Sequence, residues 1–415
     1  MILERLLLLV SILLVSPVDG DSGSSVSGEA ARLNREGVAR LARRDYDAAV
    51  GSFRAALFRL EDSPPIVSNL RQALLGRGVA RCNAGEAGAE EDLREAVALG
   101  PDDPVSLRNL GFCLLRGEKW VDAISALDRA VALDPSSADA FVARGQALYR
   151  IGRLTEAIAS LEAAIRLDPE REGLAALLEK ARREHGVESR FAQENSSLFV
   201  VSFDGDREDP AAVSTILSDL EEVAVRIGLD LEFAPTSRVP VLLYSAEEFV
   251  TVTNSHDWVG GLFDGKIRVP LKNAAGHLPD LRRTLAHEYT HYVVSMLSPR
   301  APAWLNEGLA QWEEAPGAPL APDRVALLVA ARDGDRLDRI ASLAPSFSGV
   351  PDKDRVRLLY AQSHAFTSYL VDRFGMSQVR SLVVATRTAP SVSAAFEVAF
   401  GEGLLSVEDA WRASF

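Results

Sequence analysis

Gly111, Ala123, Ala130 and Pro135 recur as Gly145, Ala157, Ala164 and Pro169, each 34 residues later. A fixed period of that size restricts a chain to stacked supersecondary units, because no single unit can bury its apolar face alone. The preceding unit keeps Ala89, Ala96 and Pro101, with Gly76 and Gly78 flanking the expected glycine position. The first unit gives Gly37, Ala49 and Ala56, then runs into a short insertion around Ser63-Pro64-Pro65. Glycine and alanine at these places let two helices approach closely. Asp134-Pro135 and Asp168-Pro169 end the second helix of a unit, because proline cannot continue it. A further helix from Glu172 to Glu184, with Leu174, Leu177 and Leu178 apolar, is placed to cap the array.

This pattern resembles the tetratricopeptide repeat (TPR) over about 30–171, most clearly in the last two units. The resemblance implies an all-α solenoid over 28–184, of about four repeats and a capping helix. It also implies a concave face that receives a peptide or a protein partner. A scaffold that only fixes domain position stays open beside that reading.

At 415 residues the chain exceeds one ordinary core, so a multidomain protein is expected. With 47% hydrophobic and 25% charged residues, it has the composition of a folded protein rather than a disordered one. Its 45 basic residues against 59 acidic give a charge of −14, without a basic run, which argues against a nucleic-acid partner. Leu6 to Val15 is an apolar run preceded by Arg5, although Glu4 weakens the positive flank, and small residues Val18 and Gly20 precede Asp21. Residues 1–20 therefore read as a signal peptide, with an uncleaved anchor or a short buried helix as the alternatives. No later segment is apolar enough to cross a membrane. A secreted or periplasmic protein is expected. Two cysteines, Cys82 and Cys113, cannot build a disulfide framework, and both fall in the helical repeats as small buried side chains.

The texture changes near 185–195. Leu198–Phe203 is a short apolar β-rich run, Ala211–Ile227 an amphipathic helix, Val239–Tyr244 a second strand, and Ala246 to about Thr253 a short helix. A third strand is expected over Gly265–Leu271 after the Asp264-Gly265 turn. There Lys266 and Arg268 alternate with Ile267 and Val269, the pattern of a half-exposed edge. Such an edge would suit an extended peptide backbone added as a further strand. Strands followed by a run of helices indicate an α+β domain over 195–415.

That run of helices carries His287-Glu288-Tyr289-Thr290-His291 and then Trp304-Leu305-Asn306-Glu307-Gly308-Leu309-Ala310. In a helix, His287 and His291 lie one turn apart on one face and can share one metal ion, with Glu288 beside them. Pro299 and Pro302 end that helix, and a second helix from Ala303 to Glu314 returns Glu307 as a third ligand. Two histidines and a glutamate suit Zn2+ with one position left for water. Glu288 would take the proton of that water. A pair of surface histidines or a decayed site is the bland alternative. Glu313 and Glu314 could also serve as third ligand, but solvent-facing helix charges account for them. Thr290 and Asn306 could orient ligands.

Within this motif the chain resembles the gluzincin metallopeptidases of the peptidase MA-like group, with a W-L-x-E-G-L-A signature. The resemblance implies a zincin-like metallopeptidase domain, with His287, His291 and Glu307 as zinc ligands and Glu288 as general base. Tyr360 is placed like the tyrosine that supports the oxyanion in several gluzincins, and His364, one turn on, reads as a structural histidine. Aminopeptidases of the G-A-M-E-N type carry a glutamate before the zinc helix, whereas Gly260-Gly261-Leu262-Phe263-Asp264 has none. Endopeptidase action on a protein or peptide substrate is therefore expected. A TPR adaptor with an inactive or structural metallopeptidase-like domain is the rival. A metal-dependent hydrolase acting on another bond is the third reading.

Overall fold

The computed structural model describes residues 25–206, 210–254, 260–271, 278–344, 346–347, 350 and 352–415. The segment 1–20, read as a signal peptide, lies outside them. The chain divides into two compact units, 1–186 and 187–415.

The first unit is a TPR-like array of helices packed in consecutive pairs: α1 (Ser25–Ala42) with α2 (Tyr46–Arg59), α3 (Pro64–Ala84) with α4 (Ala89–Leu99), α5 (Pro104–Arg116) with α6 (Trp120–Leu133), and α7 (Ala138–Arg150) with α8 (Leu154–Leu167). A ninth helix, α9, follows at Leu174–Glu188. Asp45, Asp103 and Ser137 cap α2, α5 and α7 by accepting from backbone N–H groups three residues on. The repeated glycines sit where paired helices cross. A Cβ at Gly111 would lie 2.5 Å from Leu127 Cγ, and one at Gly145 2.8 Å from Leu161 Cδ2. The Ser63-Pro64-Pro65 insertion makes no loop. Pro64 starts α3, which runs for 21 residues where α5 and α7 have 13. Cys82 and Cys113 are buried and free.

The second unit begins with β1 (Ala192–Asn195), β2 (Phe199–Phe203), α10 (Pro210–Asp230), β3 (Val239–Ser245), α11 (Ala246–Thr253), β4 (Leu262–Phe263) and β5 (Ile267–Leu271). It continues through α12 (Leu278–Leu297), α13 (Ala303–Glu314), α14 (Pro322–Asp333), α15 (Lys353–Phe374), α16 (Met376–Ala385), α17 (Val392–Phe400) and α18 (Leu404–Arg412). The strands form one mixed sheet in the order β1-β2-β3-β5-β4. β2, β3 and β5 are parallel, and antiparallel β1 and β4 flank them. Parallel strands need a covered face. Val213, Ile216, Leu220 and Ile227 of α10, with Leu285, Tyr289 and Val293 of α12, bury the sheet's Phe199, Val201, Val241 and Val269 in one core.

The expected edge strand is corrected here. β5 lies inside the sheet, between β3 and β4, and all its residues are buried. Lys266 and Arg268, expected to face water, are 6% and 1% exposed. The cause is Glu188, far away in sequence. Arg268 Nη1 donates to Glu188 Oε1 at 2.7 Å, the Tyr244 hydroxyl donates to the same oxygen at 2.6 Å, and Lys266 Nζ lies 3.5 Å from Glu188 Oε2. Burial alone would raise the Glu188 carboxyl, but Lys266 and Arg268 outweigh it and hold it below the usual range. Polar alternation therefore marks a buried ion cluster and not a solvent face.

Candidate metal centre

α12 turns Leu285, Tyr289 and Val293 into the core, which leaves His287, Glu288 and His291 on its opposite side. α13 returns after the prolines and packs against both α12 and α15. Its approach to α15 depends on Gly308, where a Cβ would stand 2.1 Å from Thr367 Oγ1 and 2.6 Å from the Ser363 carbonyl oxygen. No larger residue fits without moving α13. This close contact sets Glu307, the neighbour of Gly308, against the histidines.

Glu307 Oε2 lies 3.6 Å from His287 Nε2 and 3.7 Å from His291 Nε2. One ligand atom from each of the three residues falls within 4.8 Å of the others. The two rings stand at 89° with centroids 4.7 Å apart. His287 Nδ1 lies 2.8 Å from Glu314 Oε1, and His291 Nδ1 lies 3.0 Å from Asn306 Oδ1. Both partners are acceptors, so each Nδ1 carries a hydrogen, and each Nε2 faces Glu307. Glu307 Oε2 is buried and accepts no hydrogen bond among the described residues. An orphaned carboxylate oxygen facing two imidazole nitrogens is costly unless a cation joins them. This donor set, one oxygen and two nitrogens with oriented rings behind, fits zinc.

The electrostatics ask for the same positive charge. Burial works against protonation of His287, but the Glu307 and Glu314 carboxylates outweigh it and carry the imidazole up to about 10. Burial and neighbouring His287 push His291 down. Burial also pushes Glu288 up to about 7, with Glu307 and Glu314 adding to the rise and His287 opposing it. The backbone of Gly261 covers Glu288, since a Cβ there would lie 2.6 Å from its Oε1.

Tyr360, on α15, lines a cavity of about 380 Å³ together with His287. Burial, then the charges of Glu307 and Glu288, raise its phenol above the ordinary value. It therefore stays a hydrogen-bond donor at neutral pH. Burial, with Arg324 adding, pushes His364 down to about 4. Its Nδ1 sits 3.1 Å from Arg324 Nη1 and accepts from it, a structural arrangement. Thr290 does not reach the site, and its hydroxyl donates to the Ala286 carbonyl at 2.7 Å.

The expectation for Glu313 and Glu314 is overturned. Glu313 is 0% exposed and pairs with Arg226, while Glu314 holds His287. Glu314 stands seven residues after Glu307, two helical turns along the same face. That spacing was the available signal for its role.

Residues 224–415 match the Peptidase MA superfamily, and residues 108–172 match the tetratricopeptide repeat. No curated protein matches the chain. Among solved structures, MamA is 23% identical over 39% of this chain and 86% of its own, with a TM-score of 0.32. YrrB, described as a TPR protein with an unusual peptide-binding site, is 23% identical over 37% of this chain and 76% of its own, with a TM-score of 0.29. A thermophilic TPR protein from Thermus thermophilus is 20% identical over 37% of this chain and 98% of its own, with a TM-score of 0.23.

Proposed function

We propose that this chain, which carries a Peptidase MA superfamily domain and tetratricopeptide repeats, is an exported zinc-dependent peptidase of the gluzincin type, acting within protein or peptide chains. The observation that carries this reading is the buried, unpartnered Glu307 Oε2 facing two histidine nitrogens whose opposite ring atoms are already oriented. His287, His291 and Glu307 would hold the metal. When bound, zinc supplies Lewis acidity and brings the pKa of a water molecule toward about 7. Glu288, buried beside the cluster, would hold the proton that the attacking water loses and pass it to the leaving amine. Tyr360, protonated at neutral pH, donates to the oxyanion that develops on the substrate carbonyl. The repeat array recruits the substrate or a partner protein on its concave face. The signal peptide read in residues 1–20 directs the chain to a periplasmic or extracellular place.

The test is a casein and peptide-library digest with zinc-loaded wild type and Glu288→Gln. Loss of the base should lower the rate by about 10²- to 10⁴-fold while zinc content stays the same. Equal rates would sink the mechanism. A protein that binds zinc but cuts nothing in either form would leave the adaptor reading standing. Export is checked by the N-terminus of the mature protein, expected at Asp21.

A further inference from the structure

The cavity beside the histidines has a feature that water activation does not use. Its wall carries two guanidinium groups, Arg324 on α14 and Arg357 on α15. Neither forms an ion pair among the described residues, although Glu314 and Asp323 line the same space. Arg324 is held by uncharged partners only, donating through Nη1 to Gln311 Oε1 at 2.7 Å and to His364 Nδ1 at 3.1 Å. Arg357 is exposed and has no side-chain partner among the described residues. The two acids are otherwise engaged: Glu314 accepts from His287, and Asp323 sits in the first turn of the 12-residue helix α14, where its charge meets the helix dipole. Arg357 stands one turn before Tyr360 on α15, and Leu327 stands one turn after Arg324 on α14. The cavity thus offers two planar donors outside any ion pair among the described residues and one apolar side chain, next to the proposed reacting centre.

We infer that this cavity is a carboxylate subsite: Arg357, with Arg324 behind it, receives an acidic side chain or the free C-terminal carboxylate of a peptide bound at the His287–His291–Glu307 cluster. A guanidinium pairs with a carboxylate through two parallel N–H···O bonds, which gives direction as well as attraction. An arginine already paired would lose that partner to the ligand, whereas Arg357 loses only water. Leu327 covers the methylenes of a glutamate or aspartate side chain. The inference rests on the peptidase reading for the identity of the ligand, but not for the existence of an anion site.

The experiment uses full-length protein and two sets of peptides. In the first set, capped peptides differ only by Glu or Gln at positions flanking the cleaved bond. In the second, peptides without acidic side chains carry a free or an amidated C-terminus. Cleavage is read as kcat/KM with the zinc-loaded wild type, and binding as fluorescence anisotropy with the Glu288→Gln chain. The acid is expected to beat its amide by about tenfold in both readouts, the scale of one charge-assisted hydrogen bond in a half-open site. Arg357→Gln should bring that ratio to about one, and Arg357→Glu should bring it below one. Preference in the first set assigns an acidic side chain, and preference in the second assigns the C-terminal carboxylate. A wild-type ratio near one, or a ratio unchanged in Arg357→Gln, overturns the subsite. Binding that prefers the acid without any cleavage keeps the subsite and removes the peptidase reading. Cleavage without preference does the reverse.

Discussion

Two side chains that touch no metal ligand atom decide how well His287 and His291 present themselves. Glu314 and Asn306 each accept from an imidazole Nδ1 and so fix tautomer and ring plane. Removing such a partner typically costs 10- to 100-fold in metal affinity. Glu314→Ala and Asn306→Ala are therefore expected to weaken zinc binding by about that factor, measured by competition with a chromophoric chelator. Glu314→Gln should lose less, about tenfold, because it keeps the acceptor and drops only the charge. Unchanged affinity in all three would show that the rings are held by packing alone. Glu313 is the internal comparison. It is as close in sequence to the ligands, but its carboxylate goes to Arg226, and burial, with Arg226 opposing, pushes it up to about 7. Adjacent glutamates thus take separate tasks because they leave the helix on different sides.

At the scale of elements, the cluster depends on how closely α13 can lie on α15. Gly308→Ala puts a methyl group 2.1 Å from Thr367 Oγ1 and 2.6 Å from a backbone oxygen. Alanine gains about 1 kcal/mol over glycine in a helix interior, and overpacking costs about 1–3 kcal/mol. A contact this short, partly with backbone, makes the cost win. The expected outcome is a net loss of about 1–2 kcal/mol in denaturant unfolding, together with weaker zinc binding as Glu307 shifts. Gly51→Ala on α2, with nothing within 4 Å of its Cβ, is the control and should be neutral or stabilising. Equal effects at the two sites would refute the close-approach account. The same scale explains what could be read in advance. The repeat pairs, α12, α13 and the meeting of His287, His291 and Glu307 were legible because helix period and proline stops act within a few residues. The fates of Lys266 and Arg268 were not, because Glu188 lies some 80 positions upstream of Arg268 and only tertiary folding brings it there. β1 was missed since Ala-Gln-Glu-Asn carries no strand pattern and is held by its pairing with β2. Nothing in the sequence pairs Arg324 with Arg357, because only the packing of α14 on α15 brings them to one cavity.

For the whole molecule, the decisive fact is that, among the described residues, the repeats have one large hydrophobic core and the sheet with the helices that follow it another, with a smaller cluster on β3 and α11. The proposed metal lies in the second unit alone. A ligand stabilises only what it binds, by RT ln(1 + [L]/Kd), or about 2.7 kcal/mol at a hundredfold excess over Kd. For a domain of about 200 residues, each kcal/mol moves the midpoint by about 2–4 °C. Chelation is therefore expected to lower the transition of 187–415 by roughly 5–11 °C and to leave that of the repeats in place. The sequence supplies a convenient probe. Trp258, Trp304, Trp312 and Trp411 fall in the second unit and Trp120 alone in the first, so tryptophan fluorescence follows chiefly the half with the proposed metal site, while far-UV circular dichroism follows both. With zinc removed, the fluorescence midpoint should move down, and the helical signal should resolve into one shifted and one unshifted step. If both steps moved together, the metal would be coupled to the repeat array as well. If neither moved, the His287–His291–Glu307 cluster would not be a site that stabilises the fold through a bound cation.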